Sequence, residues 1–153
     1  MQVRVLGPVE AGPVDDPAPL GGTRPRTIVA ALALAVGPVS SERLIDEVWR
    51  DDPPPSAIAT LQSYLSRLRR IFGQGRLVGG PAGYLLELPV GSLDAEVFLE
   101  ALEDARALRD RGDHPRAVAA YETALTSWRG EVADGLEHGP ILRGASARLT
   151  ELR

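Results

Sequence analysis
The chain has no cysteine and no lysine. Without cysteine it can form no disulfide scaffold, thiol nucleophile or cysteine-based zinc site. All seventeen basic residues are arginine, a bias of the kind GC-rich coding produces and of little functional meaning by itself. Histidine is scarce too. His114 and His138 sit in separate Gly/Pro/Asp-rich connections with no second ligand at metal spacing, so they read as surface residues and neither metal nor cofactor is expected. Long apolar runs are missing. The longest, TIVAALALAV at 27–36, is half the roughly 20 residues that a bilayer span needs. It follows strand-like and turn-like sequence and is not a signal peptide. A buried core helix of a cytoplasmic protein is expected there, with no membrane partner. A Gly-rich phosphate loop, a metal constellation and a Ser/His/Asp set are all lacking, so no enzyme is expected.

The chain does have enough apolar material, 44% of 153 residues, to bury one ordinary core or two small ones. Its net charge of −4 is unevenly placed. Residues 1–92 hold nine arginines and nine acids, so the whole excess lies in 93–153. Between Pro53 and Leu86 there is no acid, while Arg67, Arg69, Arg70 and Arg76 fall in that window. Charge placement, more than the sum, governs which partners a surface attracts.

The order of elements gives the window its meaning. QVRVL alternates with period two, Val3 and Val5 on one face and Arg4 on the other, and Gly-Pro and Gly-Gly pairs cut residues 1–23 into short strands. A helix is expected over about 25–36, closed by Gly37-Pro38. SSERLIDEVW starts a second, capped by Ser40 or Ser41, with Leu44, Ile45, Val48 and Trp49 as its buried stripe. RDDPPP ends it. A third runs from near Ser56 to Phe72, and RLVGGPAGYLLEL reads as a hairpin. Beyond PVGSLD the chain is helical, over roughly 94–111, 114–128 and 140–152.

This order is that of an α+β winged helix-turn-helix: short N-terminal β-sheet, three helices and a C-terminal β-hairpin wing. At about 100° per residue, Ile58, Leu61, Leu65, Leu68 and Phe72 of the third helix form the core stripe. The opposite side presents Ser56, Ala59, Ser63, Ser66, Arg67 and Arg70, with Thr60 and Arg69 on the flanks. A basic run on a helix is ordinarily a solvated face. Here the small side chains suit the major groove, arginine can fork onto guanine or phosphate, and no carboxylate repels the backbone. Arg76 adds a charge on the hairpin. These features together point to double-stranded DNA.

The blocks VRVLGPVE, LGGTRPRTIVAALAL, VSSERLIDEVWRDDPPPSA, LQSYLSRLRRIFG, RLVGGPAGYLLEL, LDAEVFLEAL and ALTSWRG resemble, in order and spacing, the streptomycete antibiotic regulatory proteins. That family comprises transcriptional activators with an OmpR-type winged helix followed by a bacterial transcriptional activation domain. The resemblance implies DNA contacts at Thr60, Ser63, Arg67 and Arg70, and backbone contacts at Arg26 and near Gly83-Tyr84. Tyr84 has a second reading, as a packing residue of the hairpin. TRPR at 23–26 departs from the family, where Lys or Gln usually precedes the Arg, but keeps Arg26 in register. The resemblance also implies RNA polymerase as a partner, a possible homodimer on repeated promoter sites, a nucleoid location and control of antibiotic biosynthesis genes.

It divides the chain into 1–92, the winged helix, and 93–153, the start of an all-α, tetratricopeptide-like activation domain. Ala105, Leu108, Ala117, Tyr121 and Ala124 fit the small/large pattern of paired helices, while Glu100, Glu103, Asp104 and Asp110 read as a solvated face. Such domains continue further in the family, so the last helix, with Ile141, Leu142, Leu149 and Leu152, is expected to lack its usual neighbour and to pack within the chain or against a second copy. Two alternatives stand beside a DNA-binding regulator. One is a helical protein-interaction module carrying a degenerate winged helix, and the other is the N-terminal part of a larger multidomain regulator.

Overall fold
A computed structural model describes residues 1–153. Two short strands, β1 (Val3–Arg4) and β2 (Glu10–Ala11), pair antiparallel with Val3 opposite Ala11. Helix α1 (Thr23–Leu34) follows, with Pro25 in the first turn, where its missing N–H leaves nothing unpaired. Ile28 to Leu32 are buried without a break, so α1 is the central helix, meeting α2, α3, α6 and β4. Helix α2 (Ser41–Trp49) is capped by Ser40, whose Oγ accepts from Arg43 N at 3.2 Å. The proline run separates it from α3 (Ala57–Phe72), which Gly73 ends at φ +95°. Strands β3 (Leu77–Gly80) and β4 (Gly83–Leu86) form a hairpin with Leu77 opposite Leu86. Gly83 is required by sterics. A Cβ there would stand 2.3 Å from Val39 O, and its absence lets Val39 and Tyr84 exchange two backbone bonds of 2.8 Å. The hairpin is thereby stitched to the chain entering α2.

Helices α4 (Asp94–Asp110) and α5 (His114–Leu125) form an antiparallel pair. Ala105, Ala117 and Ala124 are buried, and Leu108 and Tyr121 are half-buried. Helix α6 (Pro140–Leu152) then returns to α1 and α2. A single cluster of 32 buried apolar residues draws on both sides of residue 92.

Polar ties reinforce this union. Val3 N donates to Ser92 O at 2.7 Å. Asp94 accepts from Val5 N and Leu6 N at 2.8 and 3.0 Å. Arg129, Ala133 and Asp134 donate backbone bonds to Leu6, Val5 and Gly7. Glu47, fully buried in α2, accepts from Ile141 N at 2.8 Å and Leu142 N at 3.0 Å. It caps α6, whose own N-cap is Gly139 and has no side chain to do so.

One expectation, the place of Ile58, is corrected, and two features of the packing stand beside it. Arg4, on the strand face opposite Val5, is only 8% exposed, with Nε on Glu10 at 3.1 Å and NH1 on Gly12 O at 2.9 Å. β1 is flanked by β2 on one edge and by residues 92–93 on the other, and the Arg4 side chain turns back onto Glu10 and Gly12. Ile58 is not core but 65% exposed, because the first turn of α3 overhangs its neighbours and Ala57 takes the inward place. The last helix packs within the chain, the first of the two arrangements expected of it. Leu142 and Leu149 are fully buried, with α1 and α2 as the packing partners of α6.

Candidate nucleic-acid interface
Burying Leu61, Leu65, Leu68 and Phe72 turns the other side of α3 outward. Ala59, Gln62, Ser63, Ser66, Arg67 and Arg70 are exposed and Thr60 is half-buried at the edge. No carboxylate lies on this helix or on the chain up to Glu87. Arg70 and Arg76 make no side-chain hydrogen bond or ion pair to the rest of the chain. Arg67 reaches only Pro19 O, at 3.5 Å, the outer limit of a hydrogen bond, with its guanidinium over Gly21. Ser66, Arg69, Arg70, Gly73 and Gln74 line a surface depression at the C-terminal end of α3. Arg76 stands at the root of the hairpin, its carbonyl accepting from Glu87 N at 2.7 Å.

The other expected contact residues have partners within the chain. Arg26 donates from Nε to Gly21 O at 2.9 Å and from NH1 to Val9 O at 2.6 Å, tying the β2–α1 connection to α1. Arg69 donates from Nε to Leu77 O at 3.3 Å and lies 5.9 Å from the centre of the Tyr84 ring. The Tyr84 hydroxyl accepts from Gln62 Nε2 at 2.8 Å. Arg69, Tyr84 and Gln62 thus join α3 to the hairpin, while Ser63, Ser66, Arg67, Arg70 and Arg76 remain open to a ligand. Gln62 is absent from the sequence reading, because helical spacing puts it between the stripe and the opposite face. Its signal was a lone amide on the helix, beside Ala59, Ser63 and Ser66.

The family described as "Bacterial transcriptional activator domain" matches residues 93–153. "Regulatory protein AfsR" of Streptomyces griseus is 33% identical over the whole chain, and "Regulatory protein DnrI" of Streptomyces peucetius is 32% identical over the whole chain. Along its whole length the chain is similar to streptomycete antibiotic regulatory proteins. The chain spans 16% of AfsR and 61% of DnrI, so it corresponds to a part of each. Among solved structures, Mycobacterium tuberculosis EmbR in complex with a low affinity phosphopeptide superposes with a TM-score of 0.90. That match has 28% identity and covers 98% of this chain and 41% of EmbR. No helix of the chain is long and apolar enough to cross a membrane.

Proposed function
We propose that the protein regulates transcription by binding double-stranded DNA, with residues 1–92 as an OmpR-type winged helix and 93–153 as part of an activation domain built from a tetratricopeptide-like pair. One observation carries this reading. The outer face of α3 combines small side chains with arginines that have no acidic partner, on a chain whose net charge is negative. In this arrangement α3 enters the major groove, Arg67 and Arg70 fork onto guanine or phosphate, and Thr60, Ser63 and Ser66 pack against the groove. Arg76 contacts the backbone. The resemblance to streptomycete antibiotic regulatory proteins supports activation of a biosynthetic gene cluster through RNA polymerase, and a pair of copies on repeated sites. Arg67→Ala or Arg70→Ala should weaken specific binding by about 1–3 kcal/mol if the guanidinium reads a base, and should flatten the salt dependence if it only holds phosphate. Titrations of duplex DNA at several salt concentrations test this. Parent-like binding by both variants at low and moderate salt refutes the assignment.

A further inference from the structure
Gln62 is the one amide on α3, and its orientation is set from outside the helix. Its Nε2 donates one hydrogen to the Tyr84 hydroxyl at 2.8 Å. Tyr84 cannot easily shift. Its backbone is bonded twice to Val39, the Arg69 guanidinium covers its ring at 5.9 Å, and the ring occupies room left by Gly79. A Cβ at Gly79 would lie 3.0 Å from Tyr84 Cε1 and 3.1 Å from Arg69 NH2. A carboxamide nitrogen carries two hydrogens, one beside its own oxygen and one pointing away. When the tyrosine takes the hydrogen that points away, the other forms a donor–acceptor edge with Oε1. That edge complements the N7 acceptor and N6 amino donor that adenine shows in the major groove. Neighbouring Ala59, Ser63 and Ser66 are small, and Ile58, one turn before Gln62, is 65% exposed.

We infer that Gln62 is a specificity-determining residue that selects adenine, and that Tyr84 is the positioning residue that fixes which edge of the amide is presented. The inference rests on the DNA-binding reading above. It makes Tyr84 a reader only through Gln62, not a contact of its own.

The test is selection of bound sites from random duplexes by the parent, Gln62→Ala, Gln62→Glu and Tyr84→Phe chains, followed by titrations on the chosen duplex. The parent should require adenine at one position, and 7-deazaadenine there, which lacks the N7 acceptor, should weaken it about tenfold. Gln62→Ala should lose that preference alone and ignore the deaza change. Gln62→Glu should shift it to cytosine, whose N4 amino group a carboxylate accepts. Tyr84→Phe should relax the same position with the salt dependence unchanged, whereas a residue that merely stabilises the fold would lower binding to all sequences alike. An unchanged preference in Gln62→Ala, indifference of the parent to 7-deazaadenine, or full adenine preference in Tyr84→Phe overturns the inference. If the parent binds no duplex at all, the functional reading itself fails.

Discussion

Glu47 has no access to solvent, and its two carboxylate oxygens hold the first amides of α6. Glu47→Ala leaves those buried donors unpaired and should lower stability by about 2–3 kcal/mol, read as a fall in the denaturant midpoint; a change below about 0.5 kcal/mol would contradict the capping role. Gly139→Ala should be as damaging, because the new methyl group would sit 2.7 Å from Glu47 Cα. Asp94 illustrates the opposite balance. Burial raises its pKa above 3.8, outweighing the bonds from Val5 and Leu6 and the nearby Arg129 charge, which lower it. The folded chain therefore keeps this proton to higher pH than the unfolded chain. Asp94's contribution to stability is full below 3.8 and is lost as pH rises through the higher folded value. Carbon-detected NMR of the side chain should give a midpoint above 3.8, and one at or below it would refute the burial argument. Neither carboxylate follows from periodicity. Each serves amides more than eighty residues away, and the only local cue was the lack of a capping side chain before Pro140.

At the scale of elements, most of the fold was legible because each element carries its own punctuation. Ser40, the proline run, Gly73 and the hairpin glycines stop or start structure by local chemistry. The third helix was placed within one residue, and its exposed serines and arginines lie where the spacing put them. What spacing does not reveal is how far a neighbour extends, so Ile58 was assigned to the core although only Ala57 of that turn is buried there. It also does not reveal which arginines already have partners, and Arg26 and Arg69 do. This difference gives a prediction. Arg76→Ala should lower affinity evenly across sequences, by one backbone contact, with the preferred site unchanged; a new preference would mean that the hairpin reads bases. Helix α6 gives another. With Leu142 and Leu149 fully buried, its amides should resist hydrogen exchange about as well as those of α1, at any protein concentration. Protection that grew with concentration would mean that the cover comes from a second copy.

The whole molecule shares one core across residue 92, although composition and charge change there. The boundary visible in the sequence is a change of secondary-structure type and does not interrupt packing. A chain ending at residue 92 would lose the Asp94 acceptors, the Leu93 partner of Val3 and the cover of α6 over α1. It should melt at least 10 °C below the full chain, about what a few kcal/mol does to a domain of this size, and the full chain should show one transition by circular dichroism. Two separate transitions would show that the halves fold independently. The capping of α6 by Glu47 has a further, directional consequence. Helix α2 packs against α3, so the helical half has a fixed bearing relative to any groove that α3 enters. Like a compass needle clamped to its card, it points one way along the duplex. With about 10–10.5 base pairs to a turn, inserting about five between this site and a neighbouring bound protein would swing that bearing to the far side of the DNA.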